Sequence, residues 1–145
     1  MFLSYENKKD EKDILEKTTK AELELISENR APKKLIHGDN LSILKALLDN
    51  YAGKIDLIYI DPPFATNGHF KISQDRANTI SSSSQDAIAY SDTLIGAEFL
   101  EFLRERLIFL RELLSKNGSI YLHIDYKVGH YVKLLMDEVF GRRRD

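Results

Sequence analysis

The sequence predicts an α/β fold, a mostly parallel sheet with flanking helices. Three observations carry this. Ile55 to Ile60 (IDLIYI) and Ser119 to Ile124 (SIYLHI) are short, apolar, β-branched-rich runs. Apolar residues recur at helical spacing in three places: Leu41, Leu44, Leu47 and Leu48; Leu100, Leu103, Leu107, Leu110 and Leu114; and Val128, Val132, Leu135 and Val139. Strand and helix patterns alternate along the chain, which implies right-handed crossovers and parallel strands.

Residues 1–32 read as a charged helical segment. From Lys8 to Asn29 it is rich in Glu and Lys, with Ile14, Leu15, Leu23, Leu25 and Ile26 interspersed, which predicts one or two helices with a broad charged face. Pro32 ends it and biases Ala31 to extended backbone. Residues 33–145 carry the rest. Leu35, Ile36 and His37 predict a short strand closing at Gly38-Asp39, and Leu41 to Asn50 a helix, with Gly53 in the turn after it.

Ile55 to Ile60 reads as a strand buried on both faces, as in a parallel sheet. It runs into Asp61-Pro62-Pro63-Phe64, and two prolines cannot continue a central strand. Ala65 to Ser91, which includes Ser81 to Ser84, reads as one long polar loop. The clearest helix runs from about Ala97 to Leu114, with Lys116-Asn117-Gly118 as its stop. The strand Ser119–Ile124 and a last helix ending at Gly141 follow. Asp39, Asp61 and Asp125 each fall at the carboxyl end of an expected strand, where ligands bind in such sheets.

Composition bounds the function. The 145 residues suffice for one domain with a core, and 43% apolar with 30% charged residues is ordinary for a soluble globular chain. The absence of cysteine excludes disulfides and thiolate metal sites and fits a reducing cytoplasm. No apolar run approaches the ~20 residues of a membrane span, and the charged N-terminus is no signal peptide. The net charge of −2 lacks the basic excess common in DNA-binding modules, so DNA contact would need local patches or further sequence. The basic cluster Arg142 to Arg144 reads as a solvated tail. His37 and His123 sit in apolar strands and read as packing residues; His69 and His130 are too scattered to argue for a metal.

Asp61-Pro62-Pro63-Phe64 carries the chemistry. An aromatic exocyclic amine is a poor nucleophile because its lone pair is delocalised into the ring. Two acceptors on its two hydrogens pull the nitrogen towards tetrahedral geometry. The Asp61 carboxylate is one, and the Pro62 carbonyl, which brings no competing N–H, is the other. Pro63 stiffens the loop, so both acceptors are in place before reaction. Phe64 offers a ring on which an extruded base stacks, recovering ~1–3 kcal/mol. Asp61 also stabilises the cation that develops on the attacking nitrogen. A rigid turn after a strand is the plain alternative. Tyr90, Lys71, Arg76 and the serine run are candidates to approach DNA, or simply solvated loop residues.

The run HGDNLSILKALLDNYAGKIDLIYIDPPF (His37 to Phe64) resembles the amino-methyltransferases whose catalytic motif precedes the cofactor motif, as in type II and type III restriction–modification systems. The likeness continues through YSDTLIGAEFLEFLRERL (Tyr90 to Leu107) and GSIYLHIDYKVGHYVKLLMDEVFG (Gly118 to Gly141), whereas the segment before Lys33 adds little. The resemblance implies a partial Rossmann-like methyltransferase fold and methyl transfer from S-adenosyl-L-methionine to adenine N6 in DNA. It places Asp61, Pro62, Pro63 and Phe64 in the catalytic motif. It also puts Asp39 near the cofactor's adenosine, although Gly-Asp-Asn at a strand end is equally an ordinary helix N-cap. The implied partners are double-stranded DNA with a flipped adenine, a cognate restriction subunit and a second copy in a homodimer.

The departures matter too. None of the seven glycines forms the Gly-x-Gly of the family's cofactor loop, and no target-recognition region follows Asp145. The expectation is a truncated, split or frameshifted product with an exposed sheet edge and apolar face. The alternatives are an inactive remnant, a half-enzyme completed by a separately encoded partner, and a cytosine-N4 or RNA amino-methyltransferase. Aspartate rather than asparagine at position 61 argues against a protein-amide substrate.

Overall fold

A computed structural model describes residues 3–27, 33–62, 69–72, 87–91 and 96–141. They form, in chain order, α1 (Glu11–Lys17), α2 (Asn40–Tyr51), β1 (Ile55–Ile60), β2 (His69–Ile72), β3 (Ala87–Ser91), α3 (Ala97–Leu113), β4 (Leu114–Leu122) and α4 (Tyr126–Phe140). β1 and β4 pair in parallel; β2 and β3 form a separate antiparallel pair. The class is α/β, as the alternating patterns predict.

The leucine stripe makes α3 the centre of the core. Phe99, Leu103, Leu107, Ile108, Phe109, Leu110 and Leu113 are buried along it. Burial of such side chains contributes roughly 1.5–3 kcal/mol each. Ile14 of α1, Ile58 of β1 and Val132, Leu135 and Val139 of α4 close the same cluster, and Leu41, Leu44, Leu47 and Leu48 of α2 pack against it.

The turn between α2 and β1 is tied to the end of α3. Gly53, at φ 65°, donates its N–H to the Glu112 carbonyl at 2.9 Å, and Lys54 donates to Leu113 at 3.0 Å. Glycine takes that left-handed backbone without a Cβ penalty. Gly118 is required for a different reason. A Cβ there would lie 2.8 Å from the Ile55 carbonyl oxygen and 2.7 Å from Leu114 Cδ1, so β1 and β4 could not approach as they do.

Four sequence expectations change, and a fifth, one or two helices over Lys8 to Asn29, is met by a single short helix. The strand over Leu35–His37 does not form: these residues have no ladder partner among the described residues, and Leu35 is 99% exposed. A strand without a neighbour has no hydrogen bonds to hold it. Lys8 to Asn29 yields one seven-residue helix, α1, and residues 18–27 are not helical. α3 ends at Leu113, so Lys116-Asn117-Gly118 lies inside β4. There β4 advances five positions, from Leu114 to Ser119, while β1 advances two, from Ile55 to Leu57, an irregularity that absorbs the polar stretch. The stretch 65–91, read as one loop, contains β2 and β3. Finally, β1 is buried on one face only. Ile58 and Ile60 join the core, while Tyr59 (67% exposed) and its registered neighbour Tyr121 (60%) face solvent with Leu57. A nearly all-apolar strand predicts two covers, and only tertiary packing decides whether both are present.

The N-terminal strap is held by a buried charge network. Arg104 and Glu101, one turn apart on α3, are both buried and pair at 3.1 Å. Glu101 also accepts from the Tyr5 hydroxyl at 2.5 Å and from the Lys9 N–H at 3.0 Å. Arg104 donates to the Lys9 carbonyl at 3.0 Å, and its Nε lies 3.4 Å from Glu138 of α4, a charge contact without a hydrogen bond. Lys8 pairs with Glu138 at 2.6 Å. Burial, and then the bond to Glu101, push the Tyr5 hydroxyl above the ordinary tyrosine range. For Glu138, burial works upward, but Lys8, the Leu3 N–H and the Arg104 charge outweigh it and leave the carboxyl low. Among the described residues no helix is long and apolar enough to cross a membrane.

Candidate functional site

β1 delivers Asp61 to the rim of the sheet. The register runs Leu57 to Ser119, Ile58 to Ile120, Tyr59 to Tyr121 and Ile60 to Leu122. The His123 N–H then donates to the Ile60 carbonyl at 2.9 Å, which keeps the two segments together one step beyond the end of β4. Asp61 follows at once. Its side chain is exposed, and no hydrogen bond or ion pair engages it among the described residues. Pro62 is half-buried. Its ring fixes φ, so the backbone leaves the strand in a restricted direction. Pro63 and Phe64 lie outside the described residues, as do Arg76, Ser81 to Ser84 and Arg142 to Arg144; so do the side chains of Lys71 and Tyr90.

Asp39 reaches the same end of the sheet by topology. α2 turns through residues 52–54 into β1 and therefore runs antiparallel to it, so the start of α2 lies near the carboxyl end of β1. Asp39 is the N-cap: its Oδ2 accepts from the Ser42 N–H at 2.9 Å and the Ser42 hydroxyl at 2.6 Å. These two bonds, and more weakly the Arg106 charge, hold its carboxyl below the usual range. The carboxylate remains exposed and retains acceptor positions.

Asp125 caps α4 at the carboxyl end of β4, accepting from the Lys127 N–H at 2.8 Å. The rim thus gathers three aspartates with different duties. Two satisfy the exposed N–H groups of helix starts, and Asp61 alone of the three is not used by the fold among the described residues. His37 and His123, read as packing residues, are both exposed here.

Arg106, a residue that periodicity does not single out, ties α2 to α3. Arg106 of α3 donates from Nε to Asn40 Oδ1 at 2.8 Å and from Nη1 to the Phe102 carbonyl at 2.8 Å, with its guanidinium 3.5 Å from the Phe102 ring centroid. It pins the first residue of α2 to α3 across 66 positions, a contact with no local signature in the sequence. A cavity of about 230 Å³ lined by Lys34, Ile36, Leu47, Tyr51, Ile55 and Leu113 lies at the opposite, amino end of β1, away from these groups. No metal-binding cluster occurs among the described residues.

A family model described as DNA methylase matches residues 55–144, from the first residue of β1 past the end of α4. The chain belongs to the DNA methylase family. It is 38% identical over 148 residues to the type II methyltransferase M.EcaI of Enterobacter cloacae, a match covering 98% of this chain and 30% of that protein. It is 34% identical over 128 residues to the type III restriction-modification enzyme StyLTI Mod subunit of Salmonella typhimurium, covering 80% of this chain and 20% of the relative. To the EcoP15I Mod subunit of Escherichia coli it is 36% identical over 122 residues, with 75% and 19% covered. The chain therefore spans less than a third of the length of these relatives.

The methylase match takes in Asp61, Pro62, α3, β4 and α4, and begins after Asp39 and α2. The M.EcaI match, at 98% of the chain, extends the likeness into the N-terminal segment as well, beyond what the motifs before Lys33 suggest. The parallel pair with Asp61 at its rim is accordingly the methylase part of the chain, and the strap on Glu101 and Glu138 fastens the N-terminal segment to it.

Proposed function

We propose that this chain holds the target base in a DNA methyltransferase that methylates adenine N6. The observation that carries this is the exposed Asp61 carboxylate, uncommitted among the described residues, at the end of a strand whose next residue is proline. Asp61 and the Pro62 carbonyl accept the two N6 hydrogens of an extruded adenine. This localises the lone pair on nitrogen, and Asp61 offsets the positive charge that grows there as the new N–C bond forms. Both acceptors follow directly on the last residue held by the β1–β4 ladder, and the Pro62 ring restricts the backbone between them, so little reorganisation is needed. Phe64 provides the stacking face for the base.

S-adenosyl-L-methionine, when bound, would supply an electrophilic methyl group by breaking its sulfonium S–CH3 bond and leave as S-adenosyl-L-homocysteine, with one N6 proton released to water. Of the residues present, Asp39 fits its nucleoside end: an exposed carboxylate, oriented by Ser42, can accept from ribose hydroxyls. The partners proposed are duplex DNA and, because several relatives are named as Mod subunits of type III restriction-modification enzymes, a restriction subunit.

A chimera tests this. The chain replaces the matching 30% of M.EcaI, and the protein is incubated with labelled S-adenosylmethionine and adenine-containing duplex. N6-methyladenine in the nucleoside digest, lost on Asp61→Ala, is the expected outcome. N4-methylcytosine as the product, or unchanged transfer by the variant, sinks the proposal.

A further inference from the structure

Asp39 serves a nucleoside only if its carboxylate is held in one direction. Both Ser42 bonds fall on the same oxygen, Oδ2. They fix the carboxylate relative to α2 and leave acceptor capacity for a ligand. They do not fix α2 itself. The stripe Leu41, Leu44, Leu47 and Leu48 packs against the core, and apolar contact is non-directional. Direction comes from the polar ties. At the far end of α2, Gly53 and Lys54 donate to the carbonyls of Glu112 and Leu113. At the near end, the Ala21 N–H donates to the Ser42 carbonyl at 3.1 Å, and Arg106 donates to Asn40 Oδ1 at 2.8 Å. Through Arg106, α3 holds both ends of α2.

Arg106 is suited to this because its own side chain is fixed. Its Nη1 donates to the Phe102 carbonyl at 2.8 Å, and its guanidinium lies 3.5 Å from the Phe102 ring centroid. Its Nη1 is also 3.7 Å from Glu105, and the side chain is 13% exposed. A planar fork held in this way aims its Nε–H in one direction. Arginine has only donors, so Asn40 must turn its oxygen to it, and the carboxamide cannot flip without losing the bond. Asn40 is the residue next to Asp39 in the chain. The Arg106 charge acts on the Asp39 carboxyl as well, after the two Ser42 bonds.

We propose that Arg106 is a positioning residue for S-adenosyl-L-methionine: by holding Asn40 against α3, it sets the direction in which Asp39 offers its carboxylate to the cofactor's nucleoside. The inference rests on the reading of Asp39 given above. Arg106 acts through Asn40 and not by contact with the cofactor.

The test is titration of S-adenosyl-L-homocysteine into the isotope-labelled chain, read from the backbone amide resonances of Asp39 to Ser42, which needs no methyl transfer. The parent should show saturable shifts there. Arg106→Met keeps an apolar stem over Phe102 and removes the donors; it should weaken affinity roughly tenfold. Asn40→Leu should do the same, and combining the two should add nothing further. Asn40→Asp gives Arg106 a charged acceptor and should keep parent affinity. Circular dichroism melts accompany each sample. A merely structural brace would lower the melts and leave the affinity of the folded variants unchanged. Should Arg106→Met not fold, Asn40→Leu carries the same test from an exposed residue.

Parent affinity in the folded Arg106→Met or Asn40→Leu chain, or additive losses in the double variant, overturns the proposal. Asp39→Ser, which still caps the helix, separates it from the reading beneath. If Asp39→Ser loses affinity and Arg106→Met does not, the positioning role alone falls. If Asp39→Ser binds like the parent, or the parent shows no shifts, the cofactor reading of Asp39 falls and takes Arg106 with it. If the M.EcaI chimera methylates cytosine while Arg106→Met still weakens cofactor binding, the adenine reading falls and Arg106 stands.

Discussion

The backbone N–H of His123 donates to the carbonyl of Ile60 at 2.9 Å, one residue past the last paired position of β1 and β4. Through this bond the strand after α3 fixes the residue immediately before Asp61. The candidate catalytic carboxylate thus follows directly on a backbone position held by β4, while its side chain is free of the fold's own demands among the described residues.

That separation makes Asp61 a clean test. Because the side chain is exposed and unpartnered among the described residues, Asp61→Ala should change unfolding free energy by no more than about 0.5 kcal/mol. Methyl transfer by the chimera should fall by roughly 10²–10³ or more. Chemical denaturation and initial rates on the same preparations check both halves. A large loss of stability would make Asp61 a structural residue.

Gly118 should tolerate no side chain. Its added Cβ would meet the Ile55 carbonyl at 2.8 Å, and backbone cannot move aside as a flexible side chain can. Gly118→Ala should destabilise by about 1–3 kcal/mol, read as a lower denaturation midpoint. Gly129→Ala is the control, since nothing lies within 4 Å of a Cβ there.

The Asp39 cap gives a pH signature. Its carboxyl is held below the ordinary value by the Ser42 hydroxyl and N–H. A lowered folded-state pKa contributes stability that is present above the unfolded carboxylate value and lost as pH falls through the folded one. Asp39→Ala should therefore cost ~1 kcal/mol at neutral pH. The difference from the parent should shrink as the medium becomes more acidic than the usual carboxylate range. Paired urea melts across that range check it, and a constant difference would remove the charge from the explanation.

Breaking the buried pair should be severe. Glu101→Ala leaves Arg104 buried with its main carboxylate gone and releases Tyr5 and Lys9, a loss of about 3–5 kcal/mol. Tyr5→Phe removes one charge-assisted bond and should cost about 1.5–3 kcal/mol. A double-mutant cycle should show strong coupling between Tyr5 and Glu101; additive effects would dissolve the network as described.

Much of the fold was legible because it rests on local pattern. The spacing from Leu100 to Leu110 determines α3 and its buried stripe, the apolar runs determine β1 and β4, and a double proline after a strand determines where β1 must stop. Asp61 at that end, and the family resemblance its motif carries, follow from the same short stretch. Tertiary structure alone decided the rest. Leu35–His37 has the composition of a strand but no neighbour to pair with among the described residues. β1 is apolar on both sides yet covered on one, because coverage depends on which elements are packed against it. Asp39 engages Ser42 as a cap, and Arg106 reaches Asn40 across 66 positions, a contact no local pattern encodes. Periodicity reports what each segment would bury; only the packed chain shows which partner is there to bury it.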